Sequence, residues 1–248
     1  MSRTVAIIQA RTGSTRLPAK VFMPLLGEPM LTRVVRRVAR ATLLDGIVVA
    51  TTTAASDDVI ARLAGVEGWS VERGSVDDLL DRYITAARAH DADVVVRITS
   101  DCPLIDPDVI DRTVRAFRAG DVDYASNTLP PPTYPRGLDV EVVARDALER
   151  AWREDRDPAS REHATPYIYR HPELFRLVRV PAENDHADQR WTVDTLQDYA
   201  FVERVYEALG RDDFTWHEAL AVVEANPTWA SLNRDVVQKV VPPASGGR

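Results

Sequence analysis

The sequence predicts an α/β protein built on a doubly wound, mainly parallel sheet. Three observations carry that expectation. Apolar strand-like runs alternate with segments of helical periodicity through the first half of the chain. The runs are mostly continuous, as in Gly46-Ile47-Val48-Val49-Ala50, which suits strands covered on both faces. A cationic loop and an acid each follow the carboxyl end of such a run, the edge where ligands collect in open α/β sheets.

In chain order, strands are expected over 4–10, 46–52, 69–73, 93–98 and 122–126. Leu31, Val34, Val35 and Val38 recur at helical spacing, with Arg33, Arg36, Arg37 and Arg40 opposite them as a solvated face. Asp58 to Leu63 reads as helix after a cap at Ser56. Ser75-Val76-Asp77-Asp78 resembles a capping box ahead of Leu79, Leu80, Tyr83, Ile84 and Ala87. Asp106-Pro107 places a cap before a proline at the first helical position. From about residue 127 the pattern changes. The proline-rich stretch 129–135 reads as loop. A strand over 137–143 follows, then helices near 145–155 and 159–170. Short strands at 176–180 and 190–193 precede helices over 195–209 and 215–224. Residues 242–248 read as a disordered tail.

Bulk properties narrow the function. A chain of 248 residues with a net charge of −7 is a poor match for wholesale nucleic-acid or anionic-membrane binding. The charge is uneven: residues 1–40 hold eight Lys/Arg and one acid, Glu28. A local basic region in an acidic protein fits a phosphate pocket. The single cysteine, Cys102, excludes an internal disulfide and is expected to be inert packing. Cys and His show no metal-binding spacing. No signal peptide and no membrane-length apolar run are read, so a soluble cytoplasmic protein is the expectation.

The richest segment is Ile7-Ile8-Gln9-Ala10-Arg11-Thr12-Gly13-Ser14-Thr15-Arg16-Leu17-Pro18-Ala19-Lys20. A buried strand opens into a loop with three cations, a glycine and small hydroxyl residues. A glycine admits a ligand close to the backbone, and fixed cations suit an oligophosphate. The spacing is neither that of a P-loop nor Gly-x-Gly-x-x-Gly. Solvated loop cations are the alternative. Asp101, just past the strand at 93–98, reads either as a hard oxygen ligand for Mg²⁺ or as a cap before Pro103. Asp194 reads either as a site acid or as a helix cap, with Asp198 a first-turn acid.

Arg-Thr-Gly-Ser-Thr-Arg-Leu-Pro-Ala-Lys (11–20) resembles the N-terminal signature of the sugar-activating cytidylyltransferases, the CMP-KDO and CMP-sialic acid synthetase group, and most of all its spore-coat polysaccharide branch. Ser100-Asp101-Cys102-Pro103-Leu104 resembles that group's Gly-Asp-x-Pro-Leu metal stretch, with serine in the glycine position. Val193-Asp194-Thr195 resembles the start of its Val-Asp-Thr-Pro-Glu-Asp stretch, with Leu196 and Gln197 replacing proline and glutamate. Arg136-Gly137-Leu138-Asp139-Val140-Glu141, Glu162-His163, and the run from Gly74-Ser75 to Asp81-Arg82 resemble further stretches of the spore-coat branch.

The resemblance implies a Rossmann-like three-layer, nucleotide-diphospho-sugar transferase-like fold. It implies an Mg²⁺-dependent transfer from CTP to a small acidic acceptor, such as a 2-keto sugar acid or a phosphonate. Arg11, Arg16 and Lys20 are then the catalytic phosphate-holding cations. Ala10, Thr12, Gly13, Ser14, Thr51, Arg73, Ser75 and Ser100 would join them around the nucleotide. Asp101 and Asp194 would hold the metal. Arg136, Asp139, Glu141, His163 and Arg190 would face the acceptor, with His163 deprotonating or orienting its hydroxyl. Residues 1–241 would form one nucleotidyltransferase domain, with 127–190 serving the acceptor and a homodimer contact. For several of these positions a bland role stands beside the functional one: capping for Ser75, a charged edge strand for Asp139 and Glu141, structural burial for His163.

Two rival readings remain. A metal-dependent glycosyltransferase uses a related fold and an Asp-x-Asp pair, and Asp91/Asp93, Asp106/Asp108 and Asp121/Asp123 have that spacing. A nucleotide-binding module without catalysis is the other.

Overall fold

The computed structural model describes residues 2–238, so the tail expected at 242–248 lies outside the described residues. The elements run β1 (Thr4–Gln9), β2 (Pro24–Leu25), β3 (Glu28–Pro29), α1 (Met30–Val38), β4 (Gly46–Thr52), α2 (Asp58–Glu67), β5 (Ser70–Gly74), α3 (Leu79–Ala89), β6 (Val94–Thr99) and α4 (Pro107–Arg118). They continue as β7 (Tyr124–Ser126), β8 (Glu141–Ala144), α5 (Arg145–Glu154), α6 (Pro158–Arg161), α7 (Pro166–Arg170), β9 (Leu177–Arg179), α8 (Leu196–Leu209) and α9 (Trp216–Ala225). The main sheet has the order β5-β4-β1-β6-β8-β7-β9. Only β8 runs against its neighbours; the other pairings are parallel. This is the doubly wound, mainly parallel sheet that the sequence predicts.

Alternation along a strand divides the core into two layers. In β1, Ala6 and Ile8 pack toward α1, α4, α8 and α9. Val5 and Ile7 pack toward α3, α5 and α7. In β6, Val94, Val96 and Ile98 join the first layer and Val95 the second. Arg97 and Thr99 therefore point to the side of α3, α5 and α7.

Five local expectations are corrected. Arg33 and Arg37 are buried rather than solvated. Arg33 pairs with Asp212 at 2.8 Å, and Arg37 donates to the carbonyls of Ile105 (2.6 Å) and Phe214 (3.0 Å), because the segment before α9 covers this face of α1. The cap of α2 is Asp57, not Ser56. The helix expected over 159–170 is broken into α6 and α7: Ala164 adopts φ +68°, and Pro166 disfavours helical backbone before it. The strand expected over 137–143 begins only at Glu141. The segment 190–193 is no strand; it makes one isolated bridge, Arg136 to Arg190.

The last two corrections share a cause. Residues 136–138 cross directly over 189–192. Arg136 N donates to Gln189 O at 3.0 Å, and Trp191 N donates to Arg136 O at 2.6 Å. Gly137 has φ +114°, and a Cβ there would lie 2.6 Å from the backbone of Trp191 and Thr192. Only glycine allows this approach. The crossing, anchored by the fully buried Trp191, aims Asp194 at the sheet edge.

Candidate functional site

The carboxyl ends of β1 and β6 open into a cleft of about 1030 Å³. On one side the loop after β1 folds around Thr12, whose carbonyl accepts from Ser14 N (2.8 Å) and Ala19 N (2.9 Å). Asp57 holds this loop in place. Its carboxylate accepts from the amide and hydroxyl of Thr12, both at 2.7 Å, and from the Thr52 hydroxyl. Burial opposes its charge, but these hydrogen bonds hold its pKa below the usual carboxylate range. Ala10, Gly13 and Ser14 line the cleft. A Cβ at Gly13 would meet open space, so the room it leaves belongs to whatever enters the cleft.

Ala19 turns the chain with φ +55°, and a 3₁₀ turn over Lys20–Phe22 drives Lys20 inward. Its ammonium donates to Asp101 Oδ2 at 2.8 Å, Asp194 Oδ1 at 2.9 Å and the Val193 carbonyl at 2.7 Å. All three donors are used. Asp194 Oδ2 faces Arg16 at 2.8 Å and Arg190 at 3.0 Å. The backbone joins the two acids as well, since Val193 N donates to Asp101 O at 2.8 Å. Three segments distant in sequence thus meet at one point.

The electrostatics follow from this packing. Burial works against both partners, yet mutual attraction outweighs it: the Lys20 pKa is raised, and Asp101 falls to about 2. Neither acid is a helix cap. Thr195 caps α8 in a reciprocal box with Asp198, and Asp106 caps α4. Cys102 is buried, which pushes its thiol pKa well up, as inert packing requires.

The opposite side of the cleft carries Arg136, Asp139 and His163. Burial, followed by the Arg97 charge, lowers the His163 pKa, which favours the neutral ring. Burial raises Asp139, against the pull of Arg136. Arg11, half exposed, faces Glu162 across the cleft at 3.6 Å. Ser100 completes the floor beside Asp101.

Six candidates stand outside this lining. Thr12 supports the loop from behind. Thr51 is fully buried in β4. Arg73 donates to the carbonyls of Thr52 (2.9 Å) and Ala54 (3.0 Å) and pairs with Asp58. Ser75 accepts from Asp78 N at 3.1 Å. Arg190 is held by Asp194 and, at 2.8 Å, by Asp198. Glu141 lies beneath the floor, paired with Arg97.

Among the lining arginines without a role in the motif reading are Arg82 and Arg97. Arg82 is buried beside the cleft, donates only to Ser75 O at 2.9 Å, and has no ion-pair partner among the described residues. Burial and then, among its neighbours, the Arg11 charge lower its pKa. Arg97 lies on the floor. An arginine inside a run as apolar as β6, at two-residue steps from Thr99 and Asp101, is the signal that locates it.

The Asp-x-Asp pairs are used elsewhere. Asp121 and Asp123 bind Arg176, Asp93 accepts from Arg3 N at 2.8 Å, and Asp106 caps α4. None of them lines the cleft.

Comparison with known proteins agrees with the geometry. The profile of a cytidylyltransferase family matches residues 5–226. The spore coat polysaccharide biosynthesis protein SpsF of Bacillus subtilis is 34% identical over 93% of this chain and 98% of its own. A 3-deoxy-manno-octulosonate cytidylyltransferase of Geobacter sulfurreducens is 40% identical over 84% of this chain and 93% of its own. The structure of a cytidylyltransferase from Leptospira borgpetersenii superposes with a TM-score of 0.89 at 32% identity, covering 97% of this chain and all of that one. The family profile over most of the chain and the relatives above 30% identity show that the chain belongs to the cytidylyltransferase family of nucleotidyltransferases.

Proposed function

We propose that this enzyme transfers the cytidylyl group of CTP to a hydroxyl of a small acidic acceptor. The acceptor oxygen forms a bond to the α-phosphorus, and the bond to pyrophosphate breaks, pyrophosphate taking the electron pair. The observation that carries this reading is the meeting of Lys20 and Arg16 with Asp101 and Asp194 in the cleft. Phosphoryl-group chemistry asks chiefly for positioning and charge neutralisation, and that cluster supplies both.

Arg11, Arg16 and Lys20 take the β- and γ-phosphates and steady the departing pyrophosphate. Lys20 exchanges its carboxylate partners for phosphate oxygens. Ala10, Gly13, Ser14 and Ser100 bound the nucleotide. His163, held neutral, accepts or orients the hydroxyl proton. Arg136 and Asp139 bound the acceptor.

The residues fit Mg²⁺. No group of three or more His, Cys, Asp or Glu suited to a metal occurs among the described residues. Asp101 and Asp194 alone match an ion that keeps waters and borrows phosphate oxygens. When bound there, Mg²⁺ neutralises phosphate charge and polarises the reacting phosphoryl group. Lys20 sits between the two acids and pairs with both.

The relatives' names make 3-deoxy-manno-octulosonate the first acceptor to try and polysaccharide biosynthesis the setting, with other 2-keto sugar acids and phosphonates next. Residues 1–241 act as one unit in this reading, and 127–190 supply the acceptor side and a homodimer contact. Among the described residues no helix is long and apolar enough to cross a membrane; the proposed place of action is the cytoplasm.

A pyrophosphate-release assay tests the reading, with each nucleoside triphosphate against a panel of sugar acids and phosphonates. Release with CTP plus a sugar acid or phosphonate is expected. UDP release from a UDP-sugar, or CTP binding without turnover on any acceptor, overturns it.

A further inference from the structure

Arg97 is a charged residue in the middle of the sheet. Its register partner on β8 is Glu141, and the two side chains pair across the strands. Glu141 is locked from behind. Its second oxygen accepts from the Tyr124 hydroxyl at 2.8 Å and the Thr165 hydroxyl at 2.5 Å. The carboxylate is thereby fixed, and it fixes Arg97 in charge and direction. One guanidinium nitrogen meets Glu141. The Nε and the remaining amino nitrogen have no hydrogen-bond partner among the described residues, and the side chain lines the cleft. A buried ion pair is weak as a stabiliser, because desolvation offsets its attraction. A guanidinium held by Glu141 on one nitrogen, with another amino nitrogen unpaired among the described residues where the side chain lines the cleft, suits an acid oxygen.

Position says which acid. Arg97 and Thr99 share one face of β6, and Asp101 follows in the turn just past its end. At roughly 3.3 Å per residue, the strand sets Arg97 about 7 Å back from its end at Thr99, before the turn that holds Asp101. The phosphate-side cations come from the loop after β1, on the other side of β6. Arg97 leans instead toward β8, where Arg136 and His163 line the same cleft. We infer that Arg97, presented by Glu141, seats the acid group of the acceptor and so makes the enzyme select anionic acceptors. Glu141 is then a positioning residue. This inference rests on the proposed transfer to an acidic acceptor and adds the group that recognises the acid.

Two variants test it: Arg97→Met, and Arg97→Met combined with Glu141→Gln. The double variant removes both buried charges together, so it keeps the test alive if the single one fails to fold. Binding of 3-deoxy-manno-octulosonate, its methyl ester and 2-hydroxyethylphosphonate is measured by ligand-observed NMR, and CTP binding by calorimetry with Mg²⁺. The wild type is expected to bind an acid better than its ester. The double variant is expected to bind CTP as the wild type does and to lose roughly 10- to 100-fold in affinity for the acid, the effect of one lost charge-assisted interaction. Its affinity for the ester stays unchanged. Whether carboxylate or phosphonate suffers the loss identifies the acid. A double variant that keeps the wild-type preference for acid over ester overturns the inference and leaves Arg97 as the counter-ion of Glu141. A wild type that binds none of the acids overturns it too. Acid binding that depends on Arg97 but never leads to pyrophosphate release sinks the proposed transfer and leaves this inference standing.

Discussion

The cleft wall after β1 and the wall around β8 face the same space with similar residue types, yet they are assembled in opposite ways. On the first wall, Arg11, Gly13, Ser14, Arg16 and Lys20 come from one short loop. On the second, Arg97, Arg136, Asp139 and His163 come from a strand, a crossing and the turn between two short helices. The first wall's cation Lys20 is held by two carboxylates that line the cleft, and in the proposed reaction phosphate oxygens replace them. The second wall's Arg97 is fixed by a carboxylate that two hydroxyls hold from behind. A reaction that must release pyrophosphate needs cations able to change partners. A site that must select an acceptor needs a preset shape.

Breaking the preset side should cost stability most. Glu141→Ala leaves Arg97 buried without its counter-ion, and a loss of about 3–5 kcal/mol is expected in urea unfolding. If unfolding barely shifts, the two walls do not differ in the way described. On the exchangeable side, Lys20→Met should lower kcat/KM with CTP by roughly 2–4 kcal/mol of transition-state stabilisation, and Arg16→Ala similarly. Lys20→Met also leaves two acids with one cation fewer, so added Mg²⁺ should raise the Tm of this variant more than that of the wild type. Equal Tm shifts in both proteins would contradict the exchange.

His163 sharpens the comparison through pH. Its pKa lies below 6.5, and only the neutral ring can take a proton. The rate should therefore be flat near neutrality and fall as the pH drops through that lowered pKa. His163→Asn should remove the acidic limb and lower kcat by about 100- to 1000-fold, the lower part of the range for general-base catalysis. An unaltered pH profile in this variant assigns the limb to another group. The smallest effect is a control far from both walls. Thr215 caps α9 in a reciprocal box with Glu218, and Thr215→Ala should cost about 1 kcal/mol of stability without changing either ligand's affinity.

Much of the first wall was legible because a loop motif is local. Strands β1, β4 and β6 were readable from their apolar runs, within a residue or two at the ends. The loop after β1 announced its chemistry through residues adjacent in the chain. The second wall was harder. Glu141 has the residue type of a ligand-facing acid, but strand register pairs it with Arg97 beneath the floor. Arg190 resembles an acceptor group, but Asp194 and Asp198 hold it. Thr51 and Arg73 sit at strand ends as a nucleoside contact would, yet β4 burial and the turn into α2 claim them.

By itself the amino-acid order determined the strand–helix alternation, the mainly parallel sheet it implies and the cationic turn, because periodicity, capping and turn chemistry act over a few residues. The tertiary structure alone decided that Lys20 stands between Asp101 and Asp194, that Arg33 and Arg37 are covered, and that Arg97 faces the cleft while Glu141 stays below it. Those outcomes depend on which distant segments pack together. That choice belongs to the whole core, through contacts such as the Gly137 crossing over Trp191, and no local window contains both partners.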